Sequence, residues 1–246
     1  MKEPDPVYKG LVAQWYDRLL TTEEKDVAFY RERAGSVDGP ILELGCGTGR
    51  ILVPLRRMGK DVEGLDISGE MLAICREKLA AEGLSATLYE QDCAAFSTGR
   101  RYDMIFMSGG SFHLIAEMEQ VRSCLAHVHA HLNPDGVFLV DVCRFNDESD
   151  GMWEDGRTAT DGREEFRCRH FTKLDKKDQV RTLISRYELT IDGELARTQE
   201  DVMKLRWYEG DQLADLLCEA GFSRVEQQRK TIIKTHEGTV VYCAWP

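Results

Sequence analysis

Three glycines at alternate positions, Gly45, Gly47 and Gly49, stand in the stretch ILELGCGTGR. Without a Cβ, such a loop lets backbone approach a ligand closely. A dinucleotide fingerprint, G-x-G-x-x-G, needs its last glycine at position 50, which is Arg50. A phosphate P-loop needs Lys followed by Ser or Thr, and neither is present. The acids nearby ask for another ligand. Glu43, beside the glycines, repels a diphosphate and suits an amino group or a sulfonium. Asp66, about one β-α-β unit further on, can grip two ribose hydroxyls. Asp92 can accept from the exocyclic amine of an adenine. A ligand that joins adenine, ribose, an amino acid and a positive charge is S-adenosylmethionine.

His113, in SGGSFHLI, falls where a methyl acceptor would face that cofactor. Methyl transfer is an in-line displacement, so the acceptor must be aligned with its lone pair free; alignment can supply ~7–11 kcal/mol of the barrier. A histidine with pKa near ~6.5 can take a proton at neutral pH. His113 is therefore expected either as a base or as a group that positions the acceptor. His127 and His131 have a zinc-like i, i+4 spacing. Leu125, Val128 and Leu132 claim the buried face, so the two rings are expected in water and no metal is expected.

These residues need elements to hold them. Thr21 and Glu24 form a capping box for a helix through about Ala34. GPILELG reads as a buried strand, with helical spacing after it at Ile51, Leu55 and Met58. DVEGLDIS is a second strand, and Ser68 caps the next helix. ATLYEQD and YDMIFMSG are the third and fourth strands. A helix from about Met118 to Leu132 ends at Asn133, Pro134 and Gly136, before GVFLVDV, the fifth. Glu43, Asp66, Asp92 and the run from Ser108 to His113 all fall at strand carboxyl ends, where open α/β sheets bind ligands. The alternation stops near Phe145. From Glu164 to Trp207 strand follows strand, with a hairpin signal at Asp192-Gly193. A helix returns at Asp211, and two strands near Ser223–Gln228 and Val240–Ala244 close the main sheet. The expected fold is α/β: a mostly parallel sheet with helices on both faces, plus an antiparallel β insertion.

The chain has 246 residues and a formal net charge of -11, without the basic footprint of a general nucleic-acid binder. The start, MKEPDPVYKG, lacks an apolar signal region. No apolar run approaches the ~20 residues of a membrane span. The eight cysteines show no C-x-x-C and read as free thiols of a cytoplasmic protein, with Cys46, Cys75, Cys124 and Cys218 in core or helix.

ELGCGTGR, GLDIS, EQDC and the LNPDG turn, in that order, resemble a class I S-adenosylmethionine-dependent methyltransferase over residues 8–144 and 207–246. The resemblance implies a Rossmann-like seven-stranded sheet. The donor-binding domain would comprise residues 1–144 and 207–246, and residues 145–206 a β insertion serving as substrate lid, similar to that of sugar N-methyltransferases. Gly45 and Gly47 would line the methionine portion and Glu43 orient it. Asp66 would bind the ribose, Asp92 the adenine end, and Ile67 and Cys93 would lie against the adenine ring. Cys46, Met71 and Ser108 would complete the cofactor site. Tyr16, in the Trp15–Asp17 segment just ahead of the first helix, would approach the cofactor. Trp153 is expected on a mobile loop over the acceptor. The implied reaction is methylation of an amine, or less favoured a hydroxyl, of a small molecule, leaving S-adenosylhomocysteine. An RNA methyltransferase, a nicotinamide oxidoreductase and a non-catalytic S-adenosylmethionine sensor are the rival readings. Acceptor identity and oligomeric state are not legible in the sequence.

Overall fold

The computed structural model describes residues 8–19, 24–143, 150–229 and 239–246. Thr21 of the expected capping box lies outside them. The chain begins with helices α1 (Leu11–Leu19) and α2 (Glu24–Gly35). Strand–helix units follow: β1 (Ile41–Leu44), α3 (Leu52–Arg57), β2 (Val62–Asp66), α4 (Gly69–Ala81) and β3 (Leu88–Glu90). Then come β4 (Tyr102–Met107), a 3-10 turn (Ser111–Leu114), α5 (Met118–His131) and β5 (Leu132–Val142). Four strands form the insertion: β6 (Trp153–Asp161), β7 (Glu164–Asp175), β8 (Val180–Ile191) and β9 (Glu194–Arg206). The chain ends with α6 (Gln212–Glu219), β10 (Arg224–Arg229) and β11 (Val240–Trp245).

The main sheet has seven strands in the order β10-β11-β5-β4-β1-β2-β3, and β11 is the reversed strand, antiparallel to both β10 and β5 while the other pairs are parallel. Both faces of β1 are covered, so Ile41 to Leu44 are all buried, Glu43 included. Leu42 and Leu44 enter one apolar core and Ile41 the other. From β1 the chain goes to β2 on one side and later to β4 on the other. Their carboxyl ends flank the crevice at this switch in strand order, where such sheets take ligands.

The insertion is a separate four-stranded antiparallel sheet. Asp192 and Gly193 both adopt positive φ, 52° and 84°, as a type I′ hairpin turn requires. Phe166, Cys168, Tyr187 and Leu189 on its inner face share a third core with Leu11, Val12 and Trp15 of α1. Trp15 stacks on Phe166 at 5.6 Å.

Several sequence expectations are corrected. Trp15–Asp17 lies within a helix of its own, not ahead of one. Strand β6 was not expected, because WEDGRTATD is acidic and lacks apolar alternation; pairing with β7 makes it a strand. Asn133, Pro134 and Gly136 sit inside the start of β5, at a register irregularity where proline is tolerated. His127 and His131 are half-buried against Phe96 rather than in water. Each Nδ1 bonds a carbonyl one turn back, at 2.8 Å. Cys218 is exposed.

Candidate functional site

A cavity of about 370 Å³ opens at the carboxyl ends of the parallel strands. It brings together Gly45 and Gly47 after β1, Asp66 and Ile67 after β2, Asp92 and Cys93 after β3, and Gly109 to Ser111 and His113 after β4. Met71 of α4, Cys143 after β5, and Tyr8 and Tyr16 at the amino-terminal end add to the wall. Met203 and Leu205 of β9 come from the insertion.

Two carboxylates, one half-buried and one fully buried, shape the two glycine loops. Asp66 accepts the Gly47 N–H at 2.8 Å through Oδ2 and the Ser68 N–H at 2.8 Å through Oδ1. Burial raises its pKa while these N–H groups oppose the rise. On the other side Asp141, fully buried, accepts the Gly109 N–H at 3.0 Å, the Gly110 N–H at 2.7 Å and the Tyr30 hydroxyl at 2.7 Å. Burial pushes Asp141 up to about 6. These loop N–H groups point back at carboxylates, not into the cavity. A diphosphate needs such groups facing it, so the pyrophosphate reading fails on geometry as well as on Arg50.

The glycines also make room. A Cβ at Gly45 would meet Ser111 at 3.1 Å and one at Gly47 would meet the Met71 methyl at 3.3 Å. At Gly49 a Cβ would run into Cys75 Sγ at 2.6 Å, so this glycine serves the packing of α4. Arg50 turns away and pairs with buried Asp26 at 2.5 Å. Asp92 holds its own turn by accepting the Ala94 N–H at 2.8 Å. A carboxylate offers about four lone-pair sites, so Asp66 and Asp92 keep acceptor capacity toward the cavity. This donor set fits S-adenosylmethionine: acceptors for ribose and adenine, close backbone, and no anion cradle.

Four expected site residues lie elsewhere. Glu43 is 2 % exposed and sits behind the loop, not on the cavity wall. Its strand phase turns it to the same face as Ile41. There burial pushes it up to about 8, against the pull of Arg50 and the Leu52 N–H. Cys46 is buried under the loop against Gly64. Ser108 is buried, and its carbonyl accepts the Ser111 hydroxyl at 2.8 Å. Trp153 is 48 % exposed in β6, its ring against Phe171 and the Arg169 guanidinium. Strand alternation puts it on the outer face in one row with Phe171, Ile184 and Val202.

His113 lines the cavity but both ring nitrogens are engaged. Nδ1–H donates to the Arg206 carbonyl at 2.6 Å, and Nε2 accepts the Cys143 N–H at 3.0 Å. This fixes a neutral tautomer and leaves no imidazole lone pair for a substrate proton. The geometry therefore suits positioning, not base catalysis.

Sequence reasoning missed Tyr8, Met203 and Leu205. Tyr8 meets Tyr16 edge-on at 5.2 Å, and its carbonyl accepts the Ser68 hydroxyl at 2.6 Å. The alternation of Met203 and Leu205 against Val202 and Lys204 was the available signal for the wall strand.

Residues 41–136 match a family model described as a methyltransferase domain. A putative methyltransferase of Geobacillus sp. (strain WCH70) is 26% identical over 220 residues, covering 87% of this chain and 88% of that protein. The dTDP-3-amino-3,6-dideoxy-alpha-D-glucopyranose N,N-dimethyltransferase of Streptomyces fradiae is 31% identical over 147 residues, 56% of this chain and 55% of that protein. The alignment thus spans about half the length of that sugar-modifying relative. In fold, the chain is similar to DesVI of Streptomyces venezuelae, with a TM-score of 0.78 at 20% identity over 97% of this chain and 100% of that one.

Proposed function

We propose that the chain is an S-adenosylmethionine-dependent methyltransferase, a reading supported by the methyltransferase-domain match over residues 41–136, and that it methylates an amine nitrogen of a small molecule, an amino sugar in the first instance. In this reading residues 1–144 and 207–246 bind the donor, and residues 145–206, together with α1, close over the acceptor. The observation that carries it is the acceptor end of the cavity, where Met203, Leu205 and Cys143 stand beside a histidine whose two nitrogens are engaged.

S-adenosylmethionine supplies a methyl group already activated on a sulfonium. The chain has to hold the acceptor lone pair in line and keep water out. An apolar wall disfavours an ammonium and favours the neutral amine. An amine can shed its proton to water before binding, whereas a hydroxyl leaves its proton late and needs a base. An acceptor end with no available imidazole lone pair therefore supports the amine over the hydroxyl. The names of the Streptomyces fradiae relative and of the sugar N-methyltransferase KedS8, whose fold is similar, point the same way.

The test is incubation with S-adenosylmethionine and dTDP-3-amino-3,6-dideoxy-α-D-glucopyranose, read by mass spectrometry for gain of methyl groups on nitrogen. Failure to bind S-adenosylhomocysteine by calorimetry overturns the donor assignment. Binding without transfer to this or any amine in a metabolite extract favours the non-catalytic sensor.

A further inference from the structure

We propose that Arg206 is a positioning residue, a latch that seats strand β9 against the main sheet and so sets the wall facing the acceptor; the inference rests on the methyl-transfer reading. Arg206 ends β9 and is 7 % exposed. Among the described residues its guanidinium bonds only carbonyls: Nε to Ala116 at 2.6 Å and Nη1 to Asp178 at 2.8 Å. Among the described residues no carboxylate pairs with it. Burying a charge costs several kcal/mol, and apolar replacements of buried ions are often neutral or stabilising. Folding alone does not call for arginine here.

What the guanidinium gains is geometry. Ala116 directly follows Leu114 and Ile115 of the cavity wall. Asp178 lies in the turn between β7 and β8. The Arg206 carbonyl takes the His113 Nδ1–H, and the same ring takes the Cys143 N–H at the end of β5. One side chain and one imidazole thus join β9, the turn after β4, the end of β5 and the adjoining β7–β8 turn. Met203 and Leu205 stand just before Arg206 on the cavity side of β9. A misplacement of about 1 Å from the reacting geometry can cost ~10²-fold in rate, so the latch acts on alignment without touching the acceptor.

Three readouts test it on the intact chain with the variants Arg206→Gln, Arg206→Lys and His113→Asn. In Arg206→Gln, without ligand, amide exchange at Met203–Trp207 and at Cys143 should speed up by about tenfold or more, as expected for local opening. Affinity for S-adenosylhomocysteine should stay within about threefold, while kcat/KM for the amino sugar named above falls by about tenfold or more, through both kcat and acceptor KM. Arg206→Lys, reaching one carbonyl, should fall between, and it carries the test should the glutamine variant not fold. Arg206→Gln with His113→Asn should lose little more than the worse single variant, because both break one chain of contacts. Arg186→Gln, on the outer face where Arg186 pairs with Glu188 at 3.0 Å, should behave as wild type. Unchanged exchange at Cys143, additive losses, or a loss of donor affinity matching the loss of activity would overturn the latch. If wild type methylates no amine, the methyl-transfer reading fails, and the exchange measurement still decides whether the latch exists.

Discussion

Asp66 serves the loop and the proposed donor together. Asp66→Ala removes the acceptor for the Gly47 and Ser68 N–H groups, and with it a charged partner for the ribose. Donor affinity should fall by about 1.5–3 kcal/mol by calorimetry, the usual worth of hydrogen bonds to a charged group. Glu43 gives a stability prediction. Its folded pKa is raised from 4.5 to about 8 by burial, with Asp66 and Asp26 adding and Arg50 opposing. Between those values the folded chain holds more protons than the unfolded one, so stability falls as pH rises. Asp141, raised to about 6, acts the same way at lower pH. Melts from pH 6.5 to 8.5 therefore isolate Glu43: wild type should lose on the order of 5 °C more than Glu43→Gln, at ~2–4 °C per kcal/mol for a chain of this size. An equal loss in both proteins would refute the raised pKa. For His113, kcat/KM should rise with pH as the acceptor ammonium titrates, and His113→Asn should keep that limb while lowering kcat. A lost limb would restore the base reading. The cavity residues Gly45, Gly47, Asp66 and Asp92 were legible from spacing at strand ends. Glu43 was not, because a strand covered on both faces shows no alternation to reveal which way its acid points.

The insertion and α1 form one unit with its own apolar core. Toward the main domain α1 makes polar contacts: the Gly10 N–H to Glu70 at 2.7 Å, Thr48 to Asp17 at 2.7 Å and Lys78 to Asp17 at 2.5 Å. Apolar contacts bind this unit to itself and polar ones bind it to the body, so in the proposed role as a lid it would lift without breaking its own core. Trp15→Ala should destabilise this unit by about 3–5 kcal/mol, speeding S-adenosylhomocysteine release while the β1–β5 amides keep their exchange protection. Uniform loss of protection would mean that lid and body open together. Deleting residues 150–206 would strip Leu11, Val12 and Trp15 of their partners, so donor affinity should fall along with turnover. The alternating strands and helices were legible because their apolar periods are strong. The partnership of α1 with the insertion was not, since nothing local joins Trp15 to Phe166. Trp153 misled because its phase depends on the register shift between Asp155 and Thr158.

The molecule as a whole is acidic, at -11, and among the described residues no helix is long and apolar enough to cross a membrane. Nucleic acids bind chiefly through neutralised phosphates. Bulk tRNA at low salt should therefore leave the chain unshifted in a gel, and a salt-sensitive shift would revive the RNA-methylating alternative. The wide separation in sequence of the two halves of the core shared by α1 and the insertion has a consequence on the ribosome. Helix α1 is made first, yet Phe166, Tyr187 and Leu189, which cover it, follow about 150 or more residues later. At elongation rates of about 5–20 residues per second that interval lasts roughly 10–30 s. During it the parallel strands β1 to β5 can assemble while Trp15 waits uncovered, so the growing chain presents a bare indole to chaperones until the seventh strand has emerged.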